Sequence, residues 1–337
     1  MKTVIAVLRR VAWGGVLVVG IMLVTWAMTA LLPGDPVRAA MGPQASPADV
    51  ARAREVYGLD QPVRVRFVRY LGRLVHLGPA LPDARDHKSC AGLGGGVHLD
   101  LGYSYTYRRP VTELVAKKLP ASAELAVFAS LVQLLIGIGL GSVAASRRGG
   151  RVDHAVVGAA VALGAAPTFL VGLVLQYLFA HRAGAFPVDG GYTTTGLDHL
   201  RAITLPGLTL GFYGAALIVR LVRAELTDAL AQPYVLAARA RGASLFRARW
   251  VHAFRNASLP VVQLTVLELG ALAGGAVVTE RLFRWPGIGE MAVVAVQNRD
   301  APAIVGVTLV ASCAIVAATV VADVLALALD PRQRTAE

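Results

Sequence analysis

Apolar residues are concentrated in six blocks along this 337-residue chain, and polar or charged segments separate the blocks. A helix needs about 20 apolar residues to cross the hydrocarbon core of a bilayer, and the blocks have roughly that length. The predicted spans are residues 11–32, 121–145, 154–179, 203–222, 261–278 and 304–329. The pattern therefore predicts an all-α integral membrane protein with six transmembrane helices.

The spacing of the blocks divides the chain into three parts. Residues 1–32 hold the N-terminus and the first span, whose apolar core is too long for a signal peptide and lacks a clear small-residue cleavage site. Residues 33–118 form a long external segment. Residues 119–337 form the core with the remaining five spans, and a basic loop at 223–260 joins the fourth span to the fifth.

The external segment is predicted to be partly ordered. Residues 48–57 and 62–75 have helical periodicity. Residues 77–98 are rich in glycine and polar residues and contain Cys90, so we expect a flexible loop there.

Composition supports the membrane class. The chain is 55% hydrophobic and 16% charged, with a mean hydropathy of +0.59, whereas soluble domains carry about 25% charged residues. The formal net charge is +12, but the Lys and Arg residues lie almost wholly at the borders of the apolar blocks. Membrane topology explains that placement better than contact with phosphate backbones, so we expect no nucleic-acid partner.

The same basic residues predict an orientation. The segments assigned to the inside hold 14 Lys and Arg residues, and the two short external loops hold 5. Positive charge is retained on the cytoplasmic side for short loops, and the rule weakens for segments longer than about 60 residues such as 33–118. Both termini are therefore predicted to be cytoplasmic.

The basic loop contains a predicted surface helix. Pro233 suits a first helical position, residues 234–241 make two turns, and Gly242 suits a left-handed end. Ala237, Ala238 and Ala240 would permit close approach of another backbone, and a second basic helix is expected from Ser244 to about residue 254. The residues alone leave two interpretations equally open, namely a groove on a partner protein and a surface of anionic lipid.

A few polar residues interrupt the predicted spans. Such groups are costly in a bilayer and usually face a bundle interior or water, so Glu268 is the best candidate for a translocation pathway. A structural hydrogen bond within the bundle is the competing interpretation. The further pathway candidates are Gln133, Gln263 and Tyr213, and Gln176 and Thr265 are also polar.

The basic loop resembles the cytoplasmic EAA loop of binding-protein-dependent ABC importer permeases, and most closely that of the dipeptide/oligopeptide/nickel group. Ala237-Ala238, Gly242 and Leu259-Pro260 match the pattern, while Leu236 stands where the general pattern has Glu. Further matching pieces lie in the expected order along nearly the whole chain: Leu32–Pro36, Tyr57–Pro62, Asp100–Ser104, Arg108–Val111, Leu119-Pro120, Phe283–Gly287 and Leu329–Arg332. Residues 77–98 look like an insertion relative to this group.

The resemblance implies a type I ABC importer permease fold with a specific set of partners. These are a second homologous permease, two cytoplasmic ABC ATPase domains and an external solute-binding protein, besides membrane lipids. The helix at 234–241 would then be the coupling helix. The residues expected to contact the ATPase are Tyr234, Ala237, Ala238, Arg239, Arg241 and Gly242.

No phosphate-binding Gly-x-x-x-x-Gly-Lys-Ser/Thr motif occurs in the sequence. We therefore expect no catalytic residue, metal site or cofactor in this chain, and expect ATP and Mg²⁺ to bind to the partner ATPase. The expected cargo is di- or oligopeptides, or related solutes such as haem or nickel chelates. An ion-coupled secondary transporter is the alternative, although that class favours paired intramembrane acids and only Glu268 lies near the middle of a predicted span.

Overall fold

The computed structural model describes residues 2–31, 36–41, 44–56, 59–77, 90–94, 97–190 and 196–329. Within these residues five helical segments are long and apolar enough to cross a membrane, and a bent pair of helices makes a sixth. With helices numbered in chain order, the five are α1 (Lys2–Leu31), α5 (Val111–Ser146), α8 (Gly196–Leu230), α11 (Phe254–Ala273) with the helical residues before it, and α14 (Ala301–Leu329). The predicted fold class is confirmed.

The third span differs from its prediction as one continuous helix. It consists of α6 (Arg151–Ala165) and α7 (Thr168–Leu175), which continues as a π-helix over Gln176–Arg182, and the two halves are bent by 102°. Pro167 is the cause, because a proline clashes with a helical conformation of the residue before it and cannot donate a backbone hydrogen bond. Ala166 is accordingly extended, with φ −72° and ψ 134°.

The core of the bundle is the pair formed by α5 and α8. Their backbones approach closely at glycines: a methyl group at Gly137 would overlap Ile218, and one at Gly211 would lie 2.5 Å from Val132. With 35 residues, α8 is about 52 Å long, so it extends beyond the hydrocarbon core, which is about 30 Å thick. The two ends of α8 therefore reach the surfaces where the bundle meets its connecting segments.

The external segment contains both predicted helices, which are confirmed as α3 (Pro47–Val56) and α4 (Val63–Leu74), after a short α2 (Pro36–Met41). Ser46 caps α3, because its Oγ accepts a hydrogen bond from the Asp49 N–H at 3.2 Å. These helices have local signals, which explains why the sequence predicts them.

The expectation of a flexible loop at 77–98 is wrong for the part that the structure describes. Three antiparallel strands, β1 (Val75–Leu77), β2 (Cys90–Gly94) and β3 (Val97–Asp100), form a sheet in the order β1-β3-β2. The glycines give no local strand signal, and the pairing with β3 supplies the missing hydrogen bonds. Residues 32–35, where the predicted first span ends, residues 78–89 and the tail at 330–337 lie outside the described residues.

Residues 279–303, which the predicted topology makes a short external loop between the fifth and sixth spans, are folded into the bundle. Two short helices, α12 (Val277–Leu282) and α13 (Ile288–Gln297), flank a turn in which Phe283 and Trp285 are fully buried. The fifth span ends earlier than the predicted residue 278, because Gly275 adopts φ +118° and its Cα lies against the backbone of Gly289. A side chain at 275 would meet that backbone, so the position needs glycine.

Candidate functional site: the loop between the fourth and fifth spans

The loop predicted from the sequence forms a short surface helix at one end of α8. Helix α9 (Pro233–Ala240) begins three residues after α8 ends, with Pro233 at its first turn as predicted. It ends at Ala240, and Gly242, two residues further on, has a φ of +92°, which confirms the predicted left-handed conformation. An L-residue with a side chain pays about 1–2 kcal/mol in that conformation, so glycine is the least costly residue here.

One face of α9 is seated on the ends of the spans. Val235 is 1% exposed and Ala238 is 5% exposed. Val235 lies in a buried cluster with residues from α5, α8 and the start of α11: Ala145, Leu226, Ala229, Ala248, Ala253 and Ala257. The small side chains in this cluster let α9 pack closely, so its position is tied to the ends of these helices.

The opposite face of α9 is exposed. Leu236 is 55% exposed, and Tyr234, Ala237, Arg239 and Arg241 are also exposed. An exposed leucine and tyrosine between arginines form a surface suited to docking rather than to chemistry. We call Tyr234, Leu236, Ala237, Arg239 and Arg241 the exposed face of α9.

Ala238 lies on the side opposite to its predicted one. We placed it on the small-residue face available to a partner, but it packs against this chain's own helices. Val235 and Ala238 are one turn apart on one face, while Ala237 and Leu236 point away from it. Ala238 therefore positions α9 instead of belonging to its exposed face.

The segment after α9 is not a separate second helix. Ser244 caps it as predicted, since its Oγ accepts from the Arg247 N–H at 3.2 Å. Helix α10 (Leu245–Arg247) then passes through a π-helical stretch, Ala248–Ala253, directly into α11. The span from Leu245 to Ala273 is continuous, and Pro260 lies inside it instead of at the predicted point of entry.

A second polar site lies inside the bundle, where α5, α8 and α11 meet. Gln133 is fully buried, and a methyl group at Gly214 would overlap its Oε1 and lie 3.1 Å from Glu268 Oε2. The structure thus brings together Gln133 and Glu268, two of the four predicted pathway residues. The two side chains are close enough to interact, but among the described residues the amide atoms of Gln133 have no partner with hydrogen-bond geometry.

The other polar residues of the spans are placed elsewhere. Tyr213 is 45% exposed on the surface of α8, and Gln263 is half-buried on α11. Gln176 donates to the Val188 carbonyl at 3.0 Å, and Thr265 donates to the Val261 carbonyl at 2.8 Å in its own helix. The hydrogen bonds of Gln176 and Thr265 are structural. Gln133 and Glu268 are therefore the two of these polar residues that lie side by side within the bundle.

Sequence reasoning missed Glu280, which is fully buried beside α5. Its Oε1 accepts from Ser122 Oγ at 2.8 Å and from the Ala276 N–H at 3.1 Å, and its Oε2 accepts from the Glu290 N–H at 2.9 Å. Burial raises the pKa of Glu280, and these hydrogen bonds to the carboxylate oppose that rise. The available signal was weak, because Glu280 follows an apolar stretch but stands next to Arg281, as an exposed charge pair at a span border would.

A bundle of membrane-crossing helices with a short, half-exposed helix between two spans is compatible with the membrane subunit of a transporter. The family described as "Binding-protein-dependent transport system inner membrane component" matches residues 137–335, and its N-terminal counterpart matches residues 4–126. The chain belongs to this family. It is an ABC importer permease, a multi-pass protein of the inner membrane.

Named relatives agree with this assignment. The chain is 34% identical to the "Probable D,D-dipeptide transport system permease protein DdpB" of Escherichia coli K12, with 97% of each chain covered. It is 31% identical to the "Dipeptide transport system permease protein DppB" of the same strain, covering 97% of this chain and 98% of DppB. A putative peptide transport permease of Brucella abortus is 32% identical, with 97% and 98% covered.

A solved structure shares the fold. A chain of the inward-facing MetNI methionine ABC transporter superposes with a TM-score of 0.54 at 17% identity, covering 65% of this chain and 97% of that one.

Proposed function

We propose that this chain is the membrane-spanning subunit of an ATP-driven importer that moves di- or oligopeptides, or related solutes such as haem or nickel chelates. The solute would pass from an external binding protein into the cytoplasm. The observation that carries the proposal is the burial pattern of α9. One face of this helix packs on the ends of the spans, and the other face is exposed. The peptide-transport names of relatives that match 97% of the chain support the choice of cargo.

In this proposal α9 is the coupling helix. Its exposed face docks in a groove of one of two cytoplasmic ATPase domains, which bind the ATP and Mg²⁺, and a second homologous permease completes the pathway. Closure of the ATPases displaces α9, and the packing of Val235 against Leu226 and Ala229 passes the displacement to α8. A packed interface transmits such a shift because close-packed side chains cannot deform continuously.

The proposal is tested by reconstituting the full complex in liposomes with its binding protein. Uptake of a dipeptide panel is expected to require ATP, Mg²⁺ and the binding protein, and to continue when proton and sodium gradients are collapsed. Uptake that follows an ion gradient without ATP would instead support the alternative, an ion-coupled secondary transporter.

The orientation is part of the proposal. We infer that both termini are cytoplasmic, because basic residues accumulate in the segments that this arrangement places inside, including the loop that contains α9. With Cys90 and Cys313 replaced by Ser, a cysteine added at either terminus is expected to resist an impermeant maleimide until the cells are opened. Labelling of intact spheroplasts would reverse the assignment, and a cysteine introduced at the exposed Leu197, at the other end of α8, supplies the positive control.

We also propose that Glu268 lies on the translocation pathway. Its carboxylate is half-buried, with Gln133 behind it, in the middle of three packed spans. Replacing Glu268 with Leu is expected to lower the uptake of peptides with a free amino terminus by about tenfold, because an anionic acceptor for the ammonium is lost. Uptake of N-acetylated peptides is the internal control; an equal fall for both would mean that Glu268 is only structural.

A further inference from the structure

A bidentate ion pair joins the start of α6 to the end of α8. Arg223 Nε lies 2.5 Å from Asp153 Oδ1, and Arg223 Nη2 lies 2.7 Å from Asp153 Oδ2. The side chain of Asp153 is 2% exposed. The planar guanidinium fork fits a carboxylate in one orientation, so this pair determines the geometry between two helices as well as their proximity.

The same carboxylate also holds the turn that leads into α6. Asp153 Oδ2 accepts a hydrogen bond from the Gly149 N–H at 2.9 Å, in the turn between α5 and α6. One side chain therefore ties together the end of α5, the first turn of α6 and the last part of α8. No other described acidic residue forms an ion pair with Arg223.

The ion pair lies next to the buried cluster that supports α9. Arg223 precedes Leu226 by one helical turn on α8, and Leu226 packs in the buried cluster with Val235 of α9 and Ala145 of α5. Residues three apart on a helix share a face, so the ion pair lies one helical turn from the buried cluster that supports α9. Helix α6, the first half of the broken span, has no residue in that cluster. It packs on α8 further along, where Ala160 lies against Ala216 and Val219, and the ion pair adds an oriented contact at the end near α9.

An ion pair with one buried member is a poor device for stability alone. The side chain of Asp153 is 2% exposed and that of Arg223 is 34% exposed. Taking a charge out of water is costly, and well-packed apolar residues often stabilise a protein as well or better. A bidentate pair does provide a defined orientation between the two elements that carry it. The pair lies between α6 and the buried cluster that supports α9. This position indicates that its role is to fix the orientation of α6 relative to that cluster.

We propose that Asp153 and Arg223 are positioning residues that make α6 move with α8 and α9, so that displacement of the coupling helix reaches the broken span. This inference rests on the proposed function of α9. Without the pair, ATPase closure would still displace α9 and α8, and α6 would keep its apolar contact with α8 but lose its defined orientation at the end near α9. ATP would then be hydrolysed with less solute moved per cycle.

The test uses the reconstituted complex and measures ATP hydrolysed per peptide transported. Asp153→Asn and Arg223→Gln are each expected to raise that ratio about tenfold while ATPase activity stays near the wild-type rate. The double variant is expected to match either single variant, because residues that act as one unit are not additive. Arg220→Gln is the matched control: Arg220 lies one turn earlier on α8, is exposed, and donates to the Ala216 carbonyl of its own helix.

Two results would overturn the inference. One is that Asp153→Asn and Arg223→Gln, at normal complex yield, hydrolyse as much ATP per peptide transported as the wild type. The other is that Arg220→Gln raises this ratio as much as they do. If the neutral variants do not assemble, Arg223→Lys keeps the charge but loses the fork, and it is expected to assemble with a raised ratio. A wild-type ratio in Arg223→Lys would then refute a role in positioning. Failure of the wild-type complex to couple ATP to uptake would refute the proposed function itself, which is a different outcome.

Discussion

Replacing Leu236 with Asp is expected to lower ATP-dependent uptake at least about tenfold while the protein remains in the membrane in normal amount. Leu236 lies at the centre of the exposed face of α9 and contributes nothing to the buried cluster below it. A charge there would have to be desolvated when α9 docks, and a tenfold loss corresponds to only about 1.4 kcal/mol of docking free energy. Peptide uptake and co-purification of the ATPase subunit measure the effect.

The buried face of the same helix supplies the comparison. Val235→Asp places the same charge in the buried cluster, and is expected to cost about 3 kcal/mol or more of folding stability and to reduce the amount of folded protein. The two variants thus separate docking from folding. Wild-type uptake in Leu236→Asp would rule out the exposed face of α9 as the docking surface.

Replacing Glu280 with Leu is expected to destabilise the protein by about 3 kcal/mol or more. The substitution removes the acceptor of three hydrogen bonds, from Ser122 Oγ and from the N–H groups of Ala276 and Glu290. Each buried donor left without a partner costs about 1–3 kcal/mol. The thermal unfolding midpoint of the purified protein measures the loss. A midpoint within the error of the wild type would show that water replaces the carboxylate.

Glu280 also predicts a pH dependence. Burial raises its pKa above the ordinary value of 4.5, so the folded protein binds this proton more tightly than the unfolded chain does. The stabilisation is therefore fully present below pH 4.5 and is lost as the pH rises through the folded-state pKa. Glu280→Gln cannot titrate, so the wild type is expected to lose stability relative to this variant as the pH rises from 4.5. Parallel pH profiles of the two unfolding midpoints would contradict the raised pKa.

The candidate site could be predicted from the sequence to a large extent because its signals are local. Pro233 and Gly242 mark the start and end of α9, and Ser244 marks the next helical start, whatever surrounds them. The sequence did not predict which side of α9 is exposed and so available to a partner. Ala238 and Leu236 are both compatible with either side of a short helix, and the cluster around Leu226 and Ala229 decides that Ala238 is buried.

Two of the wrong or missing predictions have the same physical origin. The strand Cys90–Gly94 exists through pairing with Val97–Asp100, and the carboxylate of Glu280 has partners as far away as Ser122. A glycine-rich stretch or a single glutamate has no local preference for these outcomes. Contacts between distant residues determine them.

The sequence by itself determined the membrane class, the six apolar spans, the surface helix between the fourth and fifth spans, and the family resemblance, because each depends on residue type and spacing along the chain. Only the tertiary structure decided two other features. They are the meeting of Gln133 with Glu268 and the pairing of Asp153 with Arg223. The reason is that the close packing of α5, α6, α8 and α11 brings together side chains that are far apart in the chain.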